Sequence, residues 1–170
     1  MTNGNREVFL AADLGASSGR LVAGEFDGSR IELEEVHRFD NGGVEVAGHL
    51  YWDFPGLWKQ LQEGLSRVAS RQQQRVVSLG VDTWGVDFGL LDSNDQLLEN
   101  PRHYRDQSED ILETAFEIVP REEIFQQTGL QFMEFNSLYQ LLALKLENES
   151  LLDNAASLLM IPISSLPSGI

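Results

Sequence analysis

The sequence predicts a mixed α/β fold in which helices cover a sheet. Short apolar runs bounded by turn residues predict strands, beginning with residues 8–13. Leucines spaced four residues apart after Pro55 predict a helix with one buried face. Strands that come first in a meander and then alternate with helices are typical of a sheet covered by helices.

The N-terminal part of the chain is predicted to be an antiparallel meander. Residues 14–19 are small and flexible, which is typical of a turn. Asp27 and Gly28 favour a second tight turn. The three predicted strands are residues 8–13, 20–26 and 31–39.

Helices and strands then alternate. Pro55 fits the first turn of a helix that runs to about residue 71, with Leu57, Leu61, Leu65 and Val68 on one face. A buried strand is predicted over residues 76–81, and a hairpin-like loop at residues 93–95. Later helices are predicted over residues 111–119, over 121–128 with Gly129 ending the helix, and after Asn136 as a cap, followed by a last apolar segment over 151–161.

Composition excludes several classes of function. The chain has 170 residues, and 12 Lys or Arg against 27 Asp or Glu give a formal net charge of −15. Such a charge disfavours an extended nucleic-acid surface and docking on an anionic membrane. The absence of cysteine excludes disulfides, thiolate catalysis and Cys-ligated metals. We expect a cytoplasmic protein, with neither nucleic acid nor membrane as a partner.

The first candidate site follows the first predicted strand. That strand delivers Asp13 to its end, and a loop of small residues leads to Arg20. Small side chains leave backbone N–H groups accessible to phosphate oxygens, and Ser17 and Ser18 add hydroxyl donors. Asp13 could hold Mg²⁺ through water. The alternative is a plain hairpin turn with a surface arginine.

The second candidate site follows the strand predicted over 76–81. Trp84 offers an aromatic face to the C–H groups of a sugar, and Asp87 offers a carboxylate to its hydroxyls. Gly85 would let a ligand approach the backbone. The alternative is that Trp84 belongs to the core and that the acidic residues cap a turn.

Polar residues of both signs define a third candidate, residues 103–106. They could line a cleft, but a solvated loop with salt bridges explains the same composition. His37 and His49 have no carboxylate or histidine partner at metal-ligand spacing, so we interpret them as structural or exposed.

Taken together, these stretches resemble the FGGY carbohydrate kinases from about Val8 to Pro162. The combination of D-L-G-A-S-S-G-R with D-T-W-G-V-D-F is the most specific part of the resemblance. The matching stretches are residues 11–20, 37–42, 52–53, 80–88, 104–106, 128–132, 135–141 and 158–162.

The resemblance implies the N-terminal lobe of a sugar kinase, with a ribonuclease H-like, actin-like ATPase domain. It implies ATP-dependent phosphoryl transfer, with Mg²⁺, to the 1-hydroxyl of L-rhamnulose in rhamnose breakdown. The family base is an aspartate in an H-D-T segment, and no H-D-T occurs in these residues. The resemblance therefore implies that the base and a C-terminal kinase domain lie outside them. We expect the 170-residue chain alone to be inactive.

The same resemblance implies roles for particular residues. Those matched to the ATP-phosphate loop are Asp13, Ala16, Ser17, Ser18, Gly19 and Arg20, with Asp13 also near the metal. Those matched to the sugar side are Trp84, Gly85, Asp87, Arg105 and Asp106. No catalytic residue is assigned within the chain.

Two alternatives stay open at this point, and one further expectation concerns the end of the chain. The chain could be a non-catalytic sugar-binding fragment, or part of a kinase for another ketose. Residues 1–162 are expected to form an incomplete N-terminal domain. Residues 163–170 lose the resemblance and are expected to be a tail read out of frame.

Overall fold

The computed structural model describes residues 7–71, 75–106 and 110–161, which form two compact units. Its strands are β1 (Glu7–Leu14), β2 (Ser18–Phe26), β3 (Ile31–Asp40), β4 (Val44–Val46), β5 (His49–Tyr51), β6 (Arg75–Thr83), β7 (Phe88–Leu91) and β8 (Ser157–Met160). Its helices are α1 (Phe54–Ala69), α2 (Ile111–Ile118), α3 (Arg121–Thr128), α4 (Ser137–Glu147) and α5 (Glu149–Asp153). The expected tail, residues 163–170, lies outside the described residues.

The first unit contains a four-stranded mixed sheet in the order β3-β2-β1-β6. β1, β2 and β3 pair antiparallel as the meander predicted, and β6 returns parallel to β1. Alternate residues of β1 are buried, beginning with Val8 and Leu10, because they form one face of the pleat. That face holds the core of the unit.

Helix α1 covers this face of the sheet. Asp53 caps it by accepting a hydrogen bond from the N–H of Gly56 at 3.0 Å, and proline lies in its first turn. Leu57, Leu61 and Val68 are buried as predicted. Gly64 lets the helix approach the sheet closely, since an added Cβ would lie 3.0 Å from the side chain of Leu21.

The second unit holds β5, residues 45–46 of its partner β4, the β7–β8 pair and the remaining helices. Phe88, Leu90 and Leu144 form one small core, and Ile111, Ala115 and Tyr139 form another. Gly129 ends α3 in the left-handed conformation with φ 65°, as predicted. Within the described residues, no helix has the length and apolar character needed to cross a membrane.

The structure corrects several element predictions. β6 is longer than residues 76–81 and is not buried, because Val76 and Val77 are 45% and 43% exposed at the edge of the sheet. Asn136 stands at the N-cap position of α4, but its amide donates to the carbonyl of Gln131 and caps nothing.

Candidate functional site

Two neighbouring strands of the first unit, β1 and β6, carry an acidic residue one position before their C-terminal ends, at the same end of the sheet. In the parallel register of β1 and β6, Asp13 is the partner of Asp82, and Leu14 is the partner of Thr83. Neighbouring strands lie roughly 4.8 Å apart. Two carboxylates therefore flank the point where the loops after β1 and β6 begin.

The loop after β1 is a three-residue turn, residues 15–17, held by Asn41. The Gly15 N–H donates to the Ser18 carbonyl at 2.9 Å. The buried Asn41 donates from its side chain to the Gly15 carbonyl at 2.8 Å and from its backbone to the Ser17 carbonyl at 3.0 Å. Asn41 thereby fixes both ends of the loop predicted to contact phosphate.

The predicted phosphate residues divide by exposure. Ser17 and Arg20 are exposed, whereas Ala16 and Ser18 are half-buried. Gly19 is buried in β2, where an added Cβ would overlap the ring of Phe39. Gly19 therefore has a packing role, whatever its backbone contacts.

Arg20 and Asp13 form an ion pair. Their Cα atoms are cross-strand partners, and Arg20 Nε donates to Asp13 Oδ2 at 2.8 Å. Both side chains are partly exposed, at 46% and 39%, so solvent screens the attraction. The pair places a guanidinium and a carboxylate on the two strands that flank the loop of residues 15–17.

The donor set at this end of the sheet fits Mg²⁺. The described residues contain no group of three or more acidic, histidine or cysteine side chains that could hold a metal. Mg²⁺ does not need such a cage, because it keeps several waters and binds through one or two carboxylates plus phosphate. Asp13 and Asp82 would hold it there.

Trp84 is partly committed to the core of the first unit. Its ring stacks on Trp52 with 3.9 Å between ring centroids, and Trp52 is only 1% exposed. One indole face is therefore covered by protein and cannot bind a sugar.

Gly85, unlike Trp84, has free space beside it. It is exposed, and an added Cβ would meet nothing within 4 Å. That open space is compatible with close approach of a ligand.

Asp87 lies in the second unit and is fully buried. Its carboxylate accepts hydrogen bonds from the backbone N–H of Tyr104 at 3.2 Å and from the Gln140 side chain at 2.9 Å. A carboxylate without exposed surface is placed to organise its surroundings rather than to receive sugar hydroxyls.

Asp106 is likewise held inside the second unit. It accepts hydrogen bonds from the Leu50 N–H at 2.9 Å and from His49 Nδ1 at 3.0 Å. Its Oδ2 also lies 3.5 Å from Nη1 of Arg102. His49 thus has a carboxylate partner 57 residues along the chain, a pairing that sequence spacing could not indicate. Arg105 remains exposed, with its guanidinium above the Tyr104 ring.

His103 is buried in the same loop. Its Nδ1 accepts the N–H of Arg105 at 3.0 Å, which leaves the ring proton on Nε2. Burial, followed by the charge of Arg105, lowers the pKa of His103 from 6.5 to about 4.

We expect this histidine to make stability depend on pH. Between its folded and unfolded pKa values only the unfolded chain binds the proton, so stability is lost as the pH falls from about 6.5 toward 4. Urea titrations at about pH 7.5 and about pH 5 should differ by about 2 kcal/mol more for the wild type than for His103→Gln. An equal difference in both proteins would show that His103 does not carry the effect.

Asn41 and Gln140 have no role in the sequence-based assignment, although both lie in stretches that carried the resemblance. Each amide contacts residues at least 26 positions away. The available signal was a polar residue within an otherwise apolar or turn-like stretch, which does not identify the partner.

The fold is that of the N-terminal domain of sugar kinases with the actin-like ATPase architecture. A ligand-bound xylulose kinase from Lactobacillus acidophilus superposes with a TM-score of 0.75 at 17% identity, covering 89% of this chain and 31% of that one. A gluconate kinase from the same species gives 0.72 at 15% identity, covering 91% and 31%. At such identities the similarity concerns the fold alone.

Residues 8–166 match the N-terminal domain of the FGGY family of carbohydrate kinases, and the chain belongs to that family. Among its relatives are a rhamnulokinase of Oceanobacillus iheyensis, 43% identical over 154 residues, and one of Bacteroides thetaiotaomicron, 42% identical over 158. The alignments cover 90% and 92% of this chain, but only 33% and 32% of the relatives. The chain thus spans about a third of the length of these rhamnulokinases, and the resemblance seen in the sequence is confirmed.

Proposed function

We propose that this chain is the N-terminal part of an ATP-dependent kinase that phosphorylates L-rhamnulose at its 1-hydroxyl. The observation that carries the proposal is the pair of loops that follow the neighbouring C-terminal ends of β1 and β6. One loop follows Asp13 and exposes Ser17, with Arg20 exposed near the start of β2, and the other begins at Trp84 and exposes Gly85. Identity of 43% to a rhamnulokinase supports this sugar over other ketoses.

Phosphoryl transfer requires several groups, and we assign different residues to charge neutralisation, to sugar contact and to proton removal. The sugar oxygen forms a bond to the γ-phosphorus while the bond from that phosphorus to ADP breaks, and the hydroxyl proton passes to a base. Arg20, the loop N–H groups and Mg²⁺ at Asp13 would offset phosphate charge on a chain of net charge −15. Gly85 would contact the sugar. The base would be an aspartate outside these 170 residues.

Gly85 offers a sharp test, because an added Cβ there meets nothing within 4 Å. Gly85→Val is expected to weaken L-rhamnulose binding by about tenfold or more, since the side chain occupies the open space. Calorimetric titration of the 170-residue chain with and without Mg-ATP measures the affinity. Gly80→Val is the matched control, because Gly80 is also exposed with nothing within 4 Å of an added Cβ.

Each outcome bears on the proposal. Loss of affinity in Gly85→Val with retention in Gly80→Val supports it. Equal affinity in wild type and Gly85→Val, or tighter binding of another ketose than of L-rhamnulose, contradicts the assigned site or the assigned sugar. Sugar binding that is insensitive to Mg-ATP would indicate a sugar-binding fragment rather than a kinase part.

A further inference from the structure

Two side chains at the start of α4 hold the segment that follows Gly85. Ser137 Oγ donates to the Val86 carbonyl at 2.7 Å. Gln140 Nε2 lies 2.7 Å from the Phe135 carbonyl, 2.9 Å from Asp87 Oδ1 and 3.2 Å from the Val86 carbonyl. All these residues belong to the second unit. The Gln140 amide and the Ser137 hydroxyl therefore hold the Val86 carbonyl, and the same amide holds the Asp87 carboxylate.

The segment depends on these contacts because, within the described part of the chain, residues 84–86 take part in no strand pairing, and only its last residue, Asp87, accepts a backbone hydrogen bond at its carbonyl, from the N–H of Ile161 at 3.0 Å. Residues 84–87 lie between β6 and β7 and belong to neither strand. A loop backbone outside regular structure takes its orientation from side chains that satisfy its polar groups. The Val86 carbonyl is one residue beyond Gly85, so fixing its direction restricts the backbone dihedral angles through which Gly85 is presented.

We call the side chains of Gln140 and Ser137 the clamp. The amide of Gln140 suits the carboxylate of Asp87 beside it. Asp87 is fully buried, and burying a carboxylate is costly unless hydrogen bonds satisfy its oxygens. Gln140 supplies one without introducing a charge, and its second N–H is shared between the two carbonyls. We call residues 84–87 the sugar loop. A Lys or Arg in place of Gln140 would add a charge beside this loop, whereas an amide does not.

We propose that Gln140 and Ser137 are positioning residues for the sugar loop, acting through the Val86 carbonyl and the Asp87 carboxylate. In this role they would act without contacting sugar or nucleotide themselves. This inference rests on the proposed function, because it takes Gly85 as the residue that meets the sugar. It goes beyond that function by assigning the geometry of the loop to α4, a helix that carries none of the residues predicted to contact ligand.

The main variant is Gln140→Met, which keeps length and shape but removes the donors without adding charge. It is expected to weaken L-rhamnulose binding to the 170-residue chain by about tenfold to 100-fold, because displacement of a positioning element by about 1 Å can cost that much. Nitrogen relaxation should show the Gly85 and Val86 amides moving from an order parameter near 0.85 toward about 0.6. Ser137→Ala should act in the same direction with a smaller effect, and Ser137→Thr should restore the wild-type values.

Two controls separate positioning from general damage. Gln126→Met makes the same exchange at an exposed position of α3. Ile124→Val loosens the buried residue of α3, and urea titration shows whether its stability matches that of Gln140→Met. Affinity lost in Gln140→Met but kept in both controls supports the inference. Unchanged affinity in Gln140→Met, or an equal loss in Ile124→Val at equal stability, overturns it.

The relaxation measurement distinguishes failure of this inference from failure of the proposed function. If the wild type binds no sugar, the proposed function fails, and the loop dynamics still test the clamp. Raised mobility of Gly85 and Val86 in Gln140→Met then supports the role of Gln140 in holding the loop. Unchanged mobility overturns it.

Discussion

Trp52→Ala is expected to lower the free energy of unfolding by about 3–5 kcal/mol, the cost of emptying a buried aromatic site. Trp52 is 1% exposed and stacks on Trp84 at 3.9 Å. The change removes both the buried surface and the aromatic pair, which is itself worth about 1 kcal/mol. Small domains are stable by about 5–15 kcal/mol in total, so the variant would be close to unfolding.

Urea titration followed by far-UV circular dichroism measures this loss, and the chain supplies its own control. Trp58 lies on α1 and is 37% exposed, so Trp58→Ala should cost much less, about 1 kcal/mol. Trp52→Phe keeps an aromatic ring against Trp84 and should lie between the two. If Trp52→Ala cost no more than Trp58→Ala, the stacked pair would not be a main support of the first unit.

The same variant links stability to the proposed site. Trp84 immediately precedes Gly85, and Trp52 covers one face of its ring. Among the described residues, the buried Nε1 of Trp84 and the hydroxyl of Thr83 have no hydrogen-bond partner. Packing against Trp52 and the core of the first unit therefore holds the Trp84 ring at the start of the sugar loop.

Local patterns account for what could be predicted from the sequence. The leucine spacing of α1 identified Leu57 and Leu61 as buried, and Gly129 marked the end of α3. Both signals act within a few residues, so they are readable without knowledge of the tertiary structure. The ends of β1 and β6 could likewise be identified, because an acidic residue follows an apolar run in each.

Contacts between distant residues could not be predicted in the same way. Asp87 was expected to face a sugar, but its partners Tyr104 and Gln140 are 17 and 53 residues away and enclose it. β6 was expected to be buried because its apolar run resembles a central strand, yet it lies at the edge of the described sheet. Burial on one or both faces depends on neighbours that the local pattern does not specify.

The two candidate loops are held by the same kind of group. Asn41 donates its amide to the Gly15 carbonyl in the first unit, and Gln140 donates to the Val86 carbonyl in the second. An amide can hold a carbonyl without adding charge, so the electrostatic potential at each loop is left to the residues that would meet ligand. At the first loop those residues are Asp13 and Arg20, whose pairing leaves little net charge until phosphate or Mg²⁺ competes for one partner.

Gly19→Ala is expected to destabilise the first unit by about 1–3 kcal/mol, although alanine is normally a mild replacement. Gly19 lies in β2 beneath Phe39, and an added Cβ would overlap that ring. Phe39 is 8% exposed and has little room to move. The ring or the strand must therefore shift, and the shift would reach the adjacent loop of residues 15–17. Urea titration measures the loss.

A double-mutant cycle with Phe39→Leu identifies the cause of that loss. If the clash is with the ring, the two changes together should cost less than the sum of the single changes, with a coupling of about 1–2 kcal/mol. Gly42→Ala is the control, because an added Cβ there meets nothing within 4 Å, and it should be neutral or stabilising by up to about 1 kcal/mol. Additive costs for Gly19→Ala and Phe39→Leu would mean that the ring is not the obstacle, and that the requirement for glycine comes from the strand backbone.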